Sequence, residues 1–159
     1  MQKDQELEQD LEQIAKEYPD IAEELLDLSN ALNAKNKQEE AQKNFIPYVQ
    51  HMWKDVIIGE HHKRFAEKLE GVAKGEIKRL IVNMPPRHTK SEFASVFFPS
   101  WLLGINPKLK LMQITHTAEL AFRFGRKVRD LIDSPEYSEI FPEVSLKADN
   151  KSAGRWETN

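Results

Sequence analysis

From Leu7 to Leu32 the apolar positions recur at alternating spacings of four and three residues, through Leu7, Leu11, Ile14, Tyr18, Ile21, Leu25, Leu28 and Leu32. That is a heptad seam. Pro19 interrupts it, because a proline inside a helix removes a backbone donor and clashes with the preceding turn, whereas Pro followed by Asp suits a first turn. The pattern predicts two helices, roughly 4–18 and 19–34, and then a polar stretch, 33–44, that reads as a linker or a third solvated helix. Their stripe can be buried locally as a hairpin or offered to another subunit as a docking surface.

Past Asn44 the pattern changes. An apolar stretch from Phe45 to Ile58 and a helical pattern through His62, Phe65, Ala66 and Leu69 lead to Gly75, which precedes Ile77-Lys78-Arg79-Leu80-Ile81-Val82-Asn83-Met84. The unbroken run Leu80-Ile81-Val82 predicts a parallel strand covered on both faces. Next comes Pro85-Pro86-Arg87-His88-Thr89-Lys90-Ser91, a compact loop with Lys then Ser, leading into a helical stretch over 92–103. This is the layout of a phosphate loop: backbone N–H groups and the positive end of a helix hold phosphates, Lys reaches the β and γ oxygens, and Ser ligates Mg2+. It departs from G-x-x-x-x-G-K-[ST], since Met84 and Thr89 stand at the glycine positions. A positive φ at Thr89 would cost on the order of 1 to 3 kcal/mol. A proline-rich turn with a Lys-Ser pair also arises on surfaces with no such role.

Gly104 and the Asn106-Pro107 turn introduce a second predicted strand, Leu109 to Thr115, which completes a βαβ unit. The expected fold class is therefore α/β: a truncated three-layer P-loop NTPase core with a parallel sheet, preceded by a helical N-terminal region. Residues 1–44 form an acidic helical extension and 45–159 the N-terminal part of the ATPase domain, incomplete at its C-terminus. Phe93, Phe97, Phe98, Trp101 and Leu102 are expected to pack their helix on the sheet. Thr117 can cap a helix whose apolar face is Leu120, Ala121, Phe124, Val128, Leu131 and Ile132, ended by Ser134-Pro135. Its other face carries Arg123, Arg126, Lys127 and Arg129, suited to DNA phosphates, a neighbour's nucleotide or water.

Composition narrows the chemistry. The 159 residues suffice for one domain of ordinary size. The net charge of −3 hides a −7 segment over 1–44 and a +4 body over 45–159, which permits a polyanion ligand without requiring one. There is no cysteine, which excludes disulfides, thiolate zinc sites and cysteine nucleophiles. No apolar run reaches the ~20 residues a membrane span needs, and the first residues lack a signal peptide's apolar core, so an intracellular protein without membrane contact is expected. The five histidines show no H-E-x-x-H spacing, and Ser91 lies in no G-x-S-x-G elbow.

Taken together, VNMPPRHTKSE, THTAELAFRFGRKVRDLIDSPEYSEIFP and AGRWETN resemble the N-terminal ATPase region of tailed-phage large terminases over roughly 61–159. The resemblance implies an ATP-driven motor that packages double-stranded viral DNA into a procapsid, with a nuclease on the full-length chain. It implies ATP and Mg2+ as cofactors. The implied partners are double-stranded DNA, the portal protein, the terminase small subunit and further copies in a homo-oligomeric ring. The implied location is the host cytoplasm, transiently at the portal vertex and not in the mature virion. Carried over by position, Pro86, Arg87, His88, Thr89, Lys90 and Ser91 surround the phosphates. Lys90 contacts the β and γ phosphates, Ser91 holds Mg2+, and Arg87 is a candidate arginine finger in cis, or a structural or phosphate-binding residue without a transition-state role. His62, or Phe65, would border the adenine.

Hydrolysis in this class also needs an apolar strand ending in an acidic pair, and no such strand follows Ser91. The chain is expected to be a fragment that does not turn over ATP alone. A helicase-like DNA-translocating ATPase and a non-catalytic virion-assembly module are the alternatives.

Overall fold

Proline at a first turn and a long run without glycine set the first element. In the computed structural model, which describes residues 18–151 and 156–158, helix α1 spans Pro19–Lys43. It continues through the polar stretch expected to be a linker. The helix expected over 4–18 falls, except for Tyr18, outside the described residues. The chain divides into two compact units, Met1–Lys37 and Gln38–Asn159. In the first, the seam positions Ile21, Leu25, Leu28 and Leu32 lie exposed.

The second unit is built round aromatic packing. Asn44 separates α1 from α2, Phe45–Met52, and Gly59 precedes α3, Glu60–Ala73. The amphipathic pattern His62, Phe65, Ala66, Leu69 is the buried face of α3. Helix α4 is a composite of three consecutive pieces: Lys90–Glu92, a π-helical turn Phe93–Phe97, and Phe98–Ile105. Fully buried Phe45 contacts the rings of Phe93, Phe98 and Trp101 at centroid distances of 5.8, 5.8 and 5.5 Å. Trp101 Nε1 donates to the Ala41 carbonyl at 3.0 Å, fastening the end of α1 to α4. Ser100 Oγ donates to helix carbonyls, so the Tyr48 hydroxyl 2.7 Å away donates to Ser100, and the Tyr137 hydroxyl donates to the Ser100 carbonyl at 2.9 Å. Every polar atom in this buried cluster thereby has a partner.

Helix α5, Ala118–Ile132, begins as expected, with Thr117 Oγ1 accepting from the Leu120 amide, and buries Phe124, Val128 and Ile132. Ser134 and Pro135 end it by opening a new helix, α6, Pro135–Ile140, in which Ser134 caps Tyr137. Strands β1, Leu146–Lys151, and β2, Trp156–Thr158, pair antiparallel.

The predicted α/β core is not what forms. Among the described residues the fold is mostly helical, and its sheet is this two-stranded antiparallel ribbon rather than a parallel three-layer P-loop core. Neither 77–84 nor 109–115 is a strand. Each is an extended segment outside any sheet: in the first, Leu80, Val82 and Met84 pack against the core while Ile81 is 93% exposed, and in the second Leu109, Leu111, Met112 and Ile114 are all exposed, the last two at 86% and 83%. A ladder needs backbones about 4.8 Å apart. Here Gln113 instead donates to the Ser95 carbonyl, setting the second segment beside α4. The aromatic cluster of α4 consequently packs on α2 and α3, not on a sheet. No described helix is long and apolar enough to cross a membrane.

Candidate functional site

Two prolines, which lack amide hydrogens, carry the chain from the extended segment into a tight turn ahead of α4. The turn depends on left-handed backbone at two residues with side chains, Arg87 with φ 65° and Thr89 with φ 55°. Thr89 thus adopts the geometry that glycine reaches more cheaply. Met84 to Glu92 line an open hollow of about 460 Å3.

The start of α4 faces this hollow. Its first backbone bond runs from the Phe93 amide to the Thr89 carbonyl at 3.0 Å, so the amides of Lys90, Ser91 and Glu92 precede the helical ladder. Thr89 occupies the capping position but its side chain caps none of them. The Lys90 ammonium folds back over the loop and donates to the Met84 carbonyl at 3.2 Å. Lys90, Ser91 and Glu92, whose amides lie ahead of the helical ladder, all line this hollow, and a helix start with a lysine beside it is the setting in which anions bind.

The Thr89 hydroxyl is occupied elsewhere. It donates to the His88 carbonyl at 2.7 Å and lies 2.6 Å from His62 Nε2, while His62 Nδ1 accepts from the Gly59 amide at 3.0 Å. His62 is buried and stacks on Phe93 at 4.9 Å between centroids. Burial, followed by the nearby His61 and His88, holds its pKa below the ordinary value. Both ring nitrogens of His62, placed at the adenine by sequence reasoning, are thus engaged with the protein itself. The signal for this role was its position on the buried face of α3.

The remaining candidates take separate places. His88 Nδ1 donates to the Pro86 carbonyl at 2.9 Å, closing the loop on itself. Arg87 is exposed at the rim, and Ser91 is exposed on the first turn of α4. Glu92 pairs with Lys127, tying α5 to this end of α4. Of the basic face of α5, Arg123 and Arg126 are exposed, and Arg129 pairs with Asp130. Among the described residues no group of three or more His, Asp or Glu side chains could hold a metal ion. An Mg2+ ion at this loop would have to take most of its ligands from phosphates and water, with the Ser91 hydroxyl as the side chain that could add one. The expected junction of a central strand with the helix after it does not form: Lys90 and Ser91 begin the helix, but the segment before them is not a sheet strand. No family model, no curated protein and no solved structure matches the chain.

Proposed function

We propose that the loop from Met84 to Glu92 binds the polyphosphate tail of ATP with Mg2+, and that this chain is the nucleotide-binding part of a viral DNA-packaging motor. One observation carries the first half: Lys90, Ser91 and Glu92, whose amides no Thr89 side chain caps, line a single hollow together with the rest of the loop. An arriving phosphate oxygen would take the Lys90 ammonium from the Met84 carbonyl, exchanging a neutral acceptor for a charged one. Ser91 would complete the shell of a phosphate-bound Mg2+. Arg87, exposed at the rim, would meet charge developing on the terminal phosphoryl group. Support for the second half is the sequence resemblance to large terminases, which is also what points to double-stranded DNA, a portal, a small subunit and a ring of copies as partners.

Titration with magnesium-ATP tests the binding. The wild-type chain should bind, and Lys90→Ala should abolish binding. No binding by either protein removes the nucleotide reading. In a complete motor protein, Arg87→Ala should leave nucleotide affinity within about several-fold while turnover falls by about 10³-fold or more, the scale of an arginine finger. Equal losses in affinity and turnover would assign Arg87 to binding alone.

A further inference from the structure

A β-branched residue at φ 55° is an expensive choice, and a threonine at a helix start ordinarily spends its hydroxyl on the first-turn amides. Thr89 does neither cheaply nor as expected, so something must hold it. The hydrogen positions identify the holder. A backbone amide can only donate, so the Gly59 N–H fixes His62 Nδ1 as an acceptor and puts the ring hydrogen on Nε2. Nε2–H therefore donates to Thr89 Oγ1, whose own hydrogen passes to the His88 carbonyl. The relay joins the residue before α3 to the residue before α4.

We propose that His62 is the positioning residue of this loop, holding Thr89 in its left-handed turn and its hydroxyl away from the first-turn amides of α4, so that those amides face a polyphosphate. The proposal rests on the nucleotide reading for the identity of the anion, and on geometry alone for the clamp. The clamp requires the neutral ring, because a proton on Nδ1 would displace the Gly59 amide. The surroundings favour that form: His61 lies 3.8 Å from His62 between ring centroids, His88 lies 5.5 Å from His61, and the face toward α4 is the Phe93 ring.

Two measurements on the full chain test it. Nitrogen-15 spectra of the histidine rings should show His62 at neutral pH as the Nε2–H tautomer, with its Nε2 resonance moving in Thr89→Val, which keeps the shape and loses the hydroxyl. An Nδ1–H tautomer, or a resonance indifferent to that substitution, overturns the clamp, and this arm needs no nucleotide. The second is a double-mutant cycle read by magnesium-ATP affinity, using His62→Phe, which keeps a ring against Phe93. In the wild-type background His62→Phe should weaken binding about tenfold, as expected for one or two hydrogen bonds. In Thr89→Gly, where φ 55° is cheap and no hydroxyl needs holding, the same change should cost less than about twofold. Equal losses in the two backgrounds would make His62 a packing residue and overturn its positioning role. A wild-type chain with the expected tautomer but no affinity for magnesium-ATP would overturn the nucleotide reading and leave the clamp standing.

Discussion

At the scale of single residues, the molecule spends its side-chain tolerance in a few tight places. Gly104 lies against the Phe141 ring, where an added Cβ would come within 2.4 Å of a ring carbon. Phe141 is buried, so the ring has little room to yield. Gly104→Ala is expected to destabilise the fold by about 1 to 3 kcal/mol, the cost of overpacking a filled core, which thermal unfolding would register. An unchanged midpoint would show that the ring moves freely. The sequence marked Gly104 as introducing the second predicted strand, whereas it lies within the helical piece Phe98–Ile105 and its packing role came only with Phe141, a partner distant in the chain. Thr89 shows the opposite case. Its substitution for glycine and the resulting left-handed strain were legible from the motif spacing, but the histidine that holds it was not, because Gly59, His62 and Thr89 are brought together by the docking of α3 on α4.

Among the elements, periodicity was a better guide to helices than apolar runs were to strands. Helices α3 and α5 bury the faces their patterns mark, and Thr117 and Ser134 cap where side-chain oxygens precede helical runs. A helix satisfies its own backbone, so local sequence suffices. A strand does not, and 77–84 and 109–115 read as strands yet find no ladder. The seam of α1 is likewise a local fact whose use is not. Leu28 and Leu32 are 67% and 57% exposed, so Leu28→Ser together with Leu32→Ser should leave the unfolding midpoint of the 38–159 unit within about 2 °C of wild type. A larger drop would mean that these leucines are buried in solution.

For the whole molecule, the buried titratable groups set a stability profile with two limbs. His62 has a lowered pKa in the fold, so below its ordinary value of 6.5 the unfolded chain takes up protons that the folded chain refuses, and stability falls as pH drops toward the folded value. Tyr48 and Tyr137 are pushed up, chiefly by burial, so above their ordinary 10.0 the unfolded chain ionises first and stability falls as pH rises. Unfolding midpoints measured across pH should therefore form a plateau between these values. His62→Phe should flatten the acid limb and leave the alkaline one, whereas an unaltered acid limb would assign it to other groups.

The sequence by itself determined the helical registers, the caps, the charge division along the chain and the grouping of Lys90 and Ser91 at a helix start, because each depends on residues within a turn or two of one another. Only the tertiary structure decided that the extended segments would lie on helices instead of joining a sheet, that the aromatic residues of α4 would close round Phe45, and that His62 would reach Thr89. Those outcomes depend on which surfaces meet, and a hydrogen bond or ring contact between distant positions leaves no period in the chain to read.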